Sequence, residues 1–302
     1  MKVSVCIATY CRPDRLAALL DDLTRQELAP DEVVVVDNDA AGSARAVVEA
    51  RRAGDCSFVL RYDVQPERNI AMTRNRTVHL AQGDWLAFVD DDERASPGWL
   101  RLLLEAATRY GAEGVLAPVE PQVPASAPAW IRRGRFYDWP HLESGALVPP
   151  SMLRFGNVLL SGALLRTEPG PFDAAFGLST GEDGDLLLRL MAKGAKVVWC
   201  DEAIVWEPIE AKRLSLQWLL ARSYSGGQDF AHKSVRGQYH AITAFGRVRF
   251  YLRAIVQMLV AAGLALLLLP FGRHRGARWL IKASANLGKL SVIVGRRYPA
   301  YA

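Results

Sequence analysis

Cysteine is scarce in this 302-residue chain, and its four cysteines show neither a CxxC pair nor the spacing of a zinc site. We therefore expect a fold without a disulfide framework or a cysteine-bound metal. Cys6 and Cys200 stand within apolar strand patterns and are expected to be small core residues. Because Met1 and Lys2 lead directly into a strand pattern, we expect no signal peptide, and reduced thiols on the cytoplasmic side of a membrane.

A large excess of one charge sign is also missing. The chain has 37 Lys and Arg against 32 Asp and Glu, a formal net charge of +5. This balance suits anionic partners such as nucleotides or anionic lipids, but it is too small to indicate nucleic acid. With 50% hydrophobic and 23% charged residues the chain is not disordered, and its length allows one large domain or a domain with an appendage.

A glycine-rich, lysine-bearing phosphate loop is absent near the first strand pattern, which argues against a nucleotidyltransferase. The sequence instead alternates apolar strand patterns with helical spacing. The predicted strands are residues 3–10, 32–36, 58–62 and 85–89, and the predicted helices are residues 15–28, 43–52 and 72–81. This alternation predicts a Rossmann-like α/β fold with a mostly parallel central sheet.

Polar residues follow three of the predicted strands, within residues 8–12, 37–39 and 90–92. Ligands of open α/β sheets bind at the carboxyl ends of the strands. We therefore expect the three segments to converge in one crevice, and a nucleotide pocket explains this convergence better than chance.

Four consecutive acids, Asp90, Asp91, Asp92 and Glu93, end the fourth predicted strand. Like charges this close repel one another unless a cation lies among them. Mg²⁺ and Mn²⁺ prefer carboxylate oxygens together with phosphate oxygens, so the cluster is a candidate metal site. A solvated acidic turn is the alternative that the motif alone leaves open.

A second acidic motif lies at residues 177–185, where Glu182 and Asp183 stand among glycines before a helical pattern at residues 186–193. A carboxylate on flexible backbone near the positive end of a helix is well placed for a general base, although a helix cap is the plain alternative. Residues 118–141, rich in proline and aromatics, are either an acceptor or lid loop or ordinary surface packing. Residues 157–165 and 196–200 are predicted strands.

The chain after residue 210 differs in kind. Residues 254–269 are apolar apart from Gln257 and Gly263, with arginines on both sides. As a helix this segment would be about 24 Å long, short of the roughly 30 Å hydrocarbon core of a membrane. Because both flanks are basic, charge does not indicate which end would face the cytoplasm, and this disfavours a simple span. Together with the amphipathic residues 277–294 it predicts a helical hairpin on the cytoplasmic face of an anionic membrane. A buried helix pair and a single true span are the alternatives.

Several motifs, in this order, resemble those of family 2 glycosyltransferases of the GT-A fold. The matching segments are residues 3–12, 36–38, 68–75, 88–92 and 181–186. Residues 83–93, with Trp130 later in the chain, further resemble bacterial exopolysaccharide enzymes that extend a lipid-linked sugar, such as the succinoglycan-type glucosyltransferases.

The resemblance implies inverting transfer from a nucleotide-diphosphate sugar, usually a UDP-hexose, with Mn²⁺ or Mg²⁺ as cofactor. It also implies that Asp183 is the catalytic base and that Asp92 and Asp90 bind the metal. The residues implied in nucleotide-sugar binding are Ala8, Thr9, Tyr10, Arg12, Asp37, Asn38, Arg74, Asp90 and Asp91. The chain departs from the family at two positions: Asn38 replaces a frequent Asp, and Trp206 replaces a frequent His.

We therefore expect a catalytic GT-A domain at residues 1–210 and a helical, membrane-associating region at residues 211–302. The expected partners are a nucleotide-sugar donor, a lipid-linked saccharide acceptor and the membrane surface, without nucleic acid. The expected location is the cytoplasmic face of the inner membrane, as a peripheral or monotopic protein or with a single span. Sugar transfer to polyprenyl phosphate and a non-catalytic, glycosyltransferase-like membrane scaffold are the alternatives.

Overall fold

The computed structural model describes residues 1–54, 56–176, 181–237 and 242–294, and the chain divides into two compact units. The first unit consists of Met1–Pro121 and Trp139–Pro208, and the second of Gln122–Asp138 and the chain from Ile209 onward. The strands are β1 Val3–Thr9, β2 Glu32–Asp37, β3 Val59–Val64, β4 Trp85–Val89, β5 Arg94–Ala95, β6 Gly114–Leu116, β7 Val119–Gln122, β8 Asn157–Ser161, β9 Val197–Trp199 and β10 Val205–Pro208. The helices are α1 Pro13–Thr24, α2 Arg45–Ala53, α3 Ile70–Leu80, α4 Trp99–Tyr110, α5 Ala129–Gly134, α6 Gly162–Leu165, α7 Glu182–Ala192, α8 Leu216–Val235, α9 Ala244–Leu268 and α10 Arg273–Ser291.

The main sheet of the first unit has the strand order β3-β2-β1-β4-β8-β6-β9. β1 is parallel to β2 and β4, β2 is parallel to β3, and β6 is parallel to β9, whereas β8 is antiparallel to β4 and β6. The predicted mostly parallel sheet is therefore confirmed. All of its parallel strands end at one edge, and β8 begins at that edge because Val89 pairs with Asn157.

Alternate residues of the strands face two separate cores. Val33 and Val35 pack on the side of α1, α2 and α4, and Val34 and Val36 pack on the side of α3 and α7. All four valines are fully buried, which is why this strand reads as a continuous apolar run rather than an alternating one. Cys6 belongs to the second core, where burial raises the pKa of its thiol to about 12.

The structure corrects the predicted strand at residues 157–165. β8 ends at Ser161, whose hydroxyl accepts a hydrogen bond from the backbone N–H of Leu164 and so caps α6. An apolar run without clear periodicity does not distinguish a buried strand from a strand followed by a short helix.

In the second unit, α9 begins at Ala244, ten residues before the apolar run that marked it in the sequence, and Thr243 caps it by accepting a hydrogen bond from the N–H of Gly246. Its 25 residues are about 37 Å long at about 1.5 Å per residue, so the prediction that the helix is too short to span a membrane is wrong. In the described part of the chain, one helical segment, Ala244–Phe271, is long and apolar enough to cross a membrane.

α10 packs against both α8 and α9 within the second unit. A methyl group on Gly227 would lie 2.0 Å from the Ala285 carbonyl oxygen, and one on Gly288 would lie 2.0 Å from the Tyr224 carbonyl oxygen. The backbones of α8 and α10 therefore touch. The hydroxyl of Ser223 also donates to the Ile281 carbonyl at 2.8 Å across this contact.

Candidate active site

The tips of β1 and β4 are joined by side-chain hydrogen bonds to the acidic cluster. The Thr9 hydroxyl donates to Asp91 Oδ2 at 2.8 Å, and Arg12 Nη1 donates to Asp91 Oδ1 at 2.9 Å. The same Arg12 nitrogen lies 3.0 Å from Asp92 Oδ2, which also lies 3.6 Å from Arg15 Nη1. Two arginines at the start of α1 therefore balance two of the acids that follow β4.

Burial raises the pKa of Asp91 and Glu93 in this cluster. Desolvation raises the pKa of Asp91 to about 6, although the charge of Arg12 opposes the rise. Burial, with the charge of Asp90, also raises the pKa of Glu93 well above its usual range. The Glu93 carboxyl accepts the backbone N–H of Asp90 at 3.1 Å, and Gly156, at φ +116°, leaves room for it. The sequence places Glu93 in the candidate metal cluster but does not predict its buried contact with the backbone of Asp90, and it gives Arg15 and Gly156 no role.

Arg74 connects β4 with α7. Its Nη1 donates to Glu182 Oε1 at 2.6 Å and its Nη2 to Asp90 Oδ1 at 3.3 Å, while its guanidinium lies over the Phe155 ring at 4.7 Å. The sequence predicts Arg74 as a nucleotide or phosphate contact. In the structure this buried side chain reaches two carboxylates, so it holds the acidic tip of β4 and the start of α7 together.

Asp183 lies in the first turn of α7, which begins at Glu182, four residues before the predicted start. Its side chain is half-buried, and its Oδ1 accepts the backbone N–H of Gly184 at 2.6 Å. Burial and the charge of Asp183 raise the pKa of Glu182 to about 7, and Asp90 contributes to the rise. The three carboxyl groups therefore act on one another. The motif residues 177–180 lie outside the described residues.

Among the described residues, the Glu182 carboxyl has a hydrogen-bond partner at only one of its two oxygens. Its side chain is 3% exposed, and Oε2 has no hydrogen-bond partner among the residues that the structure describes. Since Oε1 is bound to Arg74, the second oxygen is the part of this carboxyl that remains to accept a proton or a hydroxyl group.

The predicted base-binding residues lie at the carboxyl end of β2, but they are bonded to neighbouring loops. The Asp37 carboxylate accepts the N–H of Ala44 at 2.7 Å. The Asn38 amide donates to the Gln65 carbonyl at 2.9 Å, and its oxygen accepts the N–H of Asn69 at 3.0 Å. Both side chains therefore shape the crevice from inside, and their contact with a base stays a prediction.

Tyr10 presents the exposed surface at this end of the sheet. Its side chain is 41% exposed, and the Arg68 guanidinium lies 4.7 Å from its ring centroid. Ala8 lies in β1, two residues before Tyr10, and is half-buried. The structure thus brings Thr9, Arg12, Asp91 and Asp92 together, and links Arg74 with Asp90 and Glu182 beside Asp183.

Metal binding by Asp90 and Asp92 stays a prediction. In the part of the chain that the structure describes, no group of three or more His, Cys, Asp and Glu side chains could hold a metal. Mg²⁺ is commonly bound by only one or two carboxylates together with substrate phosphates and water. Asp90, whose side chain is 44% exposed, and Asp92 supply oxygen ligands of that kind.

Several known proteins are similar to this chain. The family described as "Glycosyl transferase family 2" matches residues 4–147. The "Succinoglycan biosynthesis protein ExoM" of Rhizobium meliloti is 33% identical over 98% of this chain and 94% of that protein. The "Galactofuranosyltransferase GlfT1" of Mycobacterium tuberculosis is 29% identical over 68% of this chain and 70% of that protein.

Two solved structures share the fold. The mannosyltransferase PcManGT of Pyrobaculum calidifontis, in complex with GDP-Man and Mn²⁺, has a TM-score of 0.62 at 16% identity, over 99% of this chain and 77% of that one. S. aureus TarS 1-349 in complex with UDP has a TM-score of 0.55 at 18% identity, over 99% of this chain and 93% of that one. The near full-length relative, the matching family and the GT-A sheet agree, and the chain belongs to glycosyl transferase family 2.

Proposed function

We propose that this glycosyltransferase moves a hexose from a UDP-sugar to a lipid-linked glycan in bacterial exopolysaccharide synthesis, with inversion at the anomeric carbon. The observation that carries the proposal is the meeting of the β1 tip, the β4 tip and the start of α7. Thr9 and Arg12 bind the acids after β4, and Arg74 binds Asp90 and Glu182. The similarity to a succinoglycan biosynthesis protein supports the glycan class, and the UDP complex of TarS supports the nucleotide.

Asp183 is the proposed general base. Its carboxylate takes the proton of the acceptor hydroxyl as that oxygen bonds to the anomeric carbon, and the bond from the anomeric carbon to the diphosphate oxygen breaks. One carboxylate is enough for this single displacement. Its place in the first turn of α7, beside the Glu182 that Arg74 holds, fixes the base relative to the tip of β4.

The donor would lie along the tips of β1, β2 and β4. Tyr10 offers an exposed ring to the base, and Ala8 and Thr9 line the ribose side, over a wall that Asp37 and Asn38 shape. Asp90 and Asp91 face the ribose and donor sugar. Arg12 lies near the diphosphate, for which Asp92 and Asp90 would hold Mn²⁺ or Mg²⁺. The ion, when bound, neutralises charge on the departing diphosphate.

The second unit is the proposed membrane contact, on the cytoplasmic face of the inner membrane. α9 exposes large apolar side chains, among them Phe245, Leu259 and Leu266, at 77%, 61% and 75%. Of its most apolar 18-residue stretch, only 17% is buried within the protein. An apolar surface of this size is covered by a lipid or protein partner in most proteins, and a lipid-linked acceptor makes lipid the reasonable choice.

The test is a transfer assay with the purified full-length protein, a panel of UDP-sugars, Mn²⁺ and a membrane lipid extract as the acceptor source. We expect one UDP-sugar to label a lipid-linked product with inverted anomeric configuration, which NMR coupling constants report. Asp183→Asn should reduce this transfer by about 10²- to 10⁴-fold. Asp173→Asn is the matched control, since Asp173 is exposed and the amide keeps its hydrogen bond to the N–H of Ala175.

Two results would contradict the proposal in different ways. If Asp183→Asn keeps full activity and the product is a polyprenyl-phosphate sugar, the acceptor is a phosphate and needs no general base. If the wild-type protein neither binds UDP nor transfers or hydrolyses any UDP-sugar, the chain is a non-catalytic scaffold.

A further inference from the structure

Trp139, in the first unit, is an exposed aromatic side chain with a cation against it. Its side chain is 43% exposed, and the Arg154 guanidinium carbon lies 4.4 Å from the ring centroid. Leaving so large an apolar ring in water forfeits the free energy of burying it. Nothing in the reaction proposed for Asp183 uses either residue.

The chain beside Trp139 is fixed in place. His141, two residues later, lies between two carboxylates, with Nε2 2.7 Å from Glu120 Oε1 and Nδ1 2.6 Å from Asp201 Oδ1. Its ring also meets the Trp199 ring edge-on at 6.3 Å. Because Pro140 restricts the intervening backbone, the indole is presented in a defined position. A ring that is already ordered costs a ligand little conformational entropy.

This ring lies at the catalytic edge of the sheet. Asp201 comes just after β9, and Arg154 comes just before β8, which begins beside the end of β4. The next two residues reach the site directly. Phe155 stacks on Arg74, and a methyl group on Gly156 would lie 3.3 Å from Asp90 Oδ2. Arg154 is therefore only two residues along the chain from Gly156, which lies beside Asp90.

The strand order separates this ring from the donor side. The proposed nucleotide site follows β2, β1 and β4, whereas Trp139 is tied to the end of the sheet formed by β8, β6 and β9. Asp90 lies between the two. We propose that Trp139 and Arg154 form a subsite for a saccharide unit of the acceptor. The C–H face of a pyranose stacks on the indole, beside the guanidinium that lies against the same ring.

A membrane interface is the other usual place for an exposed tryptophan. The surroundings of Trp139 do not favour it, since the carboxylates of Glu120 and Asp201 lie beside His141, which adjoins the ring through Pro140. Negative groups at this place would repel anionic lipid head groups. Neutral sugar hydroxyls meet no such penalty. The assignment to the acceptor rests on the proposed function, but saccharide binding by the ring can be tested without catalysis.

The binding test uses saturation-transfer NMR with cellotetraose on the full-length protein. We expect saturation of the sugar C–H protons by wild type, retention in Trp139→Phe, and about ten-fold weaker binding in Trp139→Ala. Leu147→Ala is the control, because Leu147 is a 68% exposed apolar residue of the same segment. Circular dichroism of each variant checks folding. Equal binding by wild type and Trp139→Ala would overturn the subsite.

The kinetic test separates this subsite from the reaction itself. With the lipid extract as acceptor, Trp139→Ala should raise the KM for acceptor about ten-fold and leave UDP binding and UDP-sugar hydrolysis unchanged. An equal fall in hydrolysis would place the ring in the donor site and overturn the assignment. Loss of vesicle binding with unchanged transfer to a detergent-soluble acceptor would identify a membrane contact and overturn it too. If wild-type protein lacks both UDP binding and hydrolysis, the proposed function fails, and cellotetraose binding alone then decides whether the ring binds saccharides.

Discussion

Arg74 is 9% exposed and lies between Glu182 Oε1 at 2.6 Å and Asp90 Oδ1 at 3.3 Å. Taking the Arg74 guanidinium and the Glu182 carboxyl out of water is costly, and only their contact with each other offsets that cost, while Asp90 stays 44% exposed. Such an arrangement adds little net stability, but it gives the side chains one geometry. The start of α7, which carries Asp183, is therefore positioned by charge as much as by packing.

Replacing Arg74 by Met should destabilise the first unit strongly, because it leaves the buried carboxyl of Glu182 without its cation and takes the same cation from Asp90. We expect a loss of roughly 3 kcal/mol in the free energy of unfolding, measured with urea. Arg101→Met is the control, since Arg101 is 40% exposed and its pairs with Glu27 and Glu105 lie on the surface. That change should cost less than about 1 kcal/mol. Similar losses in both variants would contradict the positioning role of Arg74.

Glu182 should make the protein less stable as pH rises through the neutral range. Its folded-state pKa is raised from 4.5 to about 7, so between these values the folded protein holds a proton that the unfolded chain has released. The free energy of unfolding therefore falls as pH rises across this window, by on the order of 2 kcal/mol for this group. In Glu182→Gln this contribution is absent, because an amide does not titrate.

The measurement is the difference in unfolding free energy between Glu182→Gln and wild type from pH 4.5 to pH 7.5. We expect this difference to grow in favour of the variant as pH rises, whatever constant offset the lost charge causes. Glu143→Gln, at an exposed position, should give a flat difference. A flat difference for Glu182→Gln as well would show that the carboxyl is ionised throughout.

Substitutions at two adjacent glycines of α8 distinguish the cost of disturbing close helix packing from the gain in helix propensity. A methyl group on Gly227 would lie 2.0 Å from the carbonyl oxygen of Ala285 in α10, whereas one on Gly226 would meet nothing within 4 Å. Gly227→Ala must push the two helices apart, which typically costs about 1–3 kcal/mol. Gly226→Ala should instead stabilise α8 by up to about 1 kcal/mol. Thermal unfolding followed by circular dichroism in detergent measures both, and a similar shift in the two variants would rule out the close contact of α8 with α10.

The sequence predicts the strands and helices that position the site better than it predicts the hydrogen bonds and ion pairs within the site. The alternation of strands and helices up to β4 and the polar strand tips follow from periodicity and from buried valines. The start of α9 was missed because its first ten residues mix arginines with apolar residues and show no continuous run. The arginine partners of the acids could not be predicted, because Arg12 and Asp91 are 79 residues apart and only the folded sheet brings them together.

The whole molecule combines a basic, apolar helical unit with an acidic crevice in the first unit. Arg247, Arg249 and Arg253 are exposed within the first half of α9, ahead of its most apolar part. Each arginine near an anionic surface adds about 1 kcal/mol to membrane binding. The wild-type protein should therefore bind vesicles containing anionic lipid more tightly than neutral vesicles, and 0.5 M salt at about a 4 Å Debye length should narrow the difference.

Replacing Arg247, Arg249 and Arg253 together by Gln should weaken binding to anionic vesicles on the order of a hundred-fold, since three such contributions sum to about 3 kcal/mol. Binding to neutral vesicles should change little, because the apolar side chains of α9 remain. The control is the replacement of Arg61, Arg76 and Arg101 together by Gln, which removes the same amount of charge from the first unit. If both triple variants lose affinity for anionic vesicles equally, net charge alone drives binding and the arginines of α9 have no specific role. If neither does, and alkaline carbonate leaves the wild-type protein in the membrane, α9 is held by its apolar length, as a span would be.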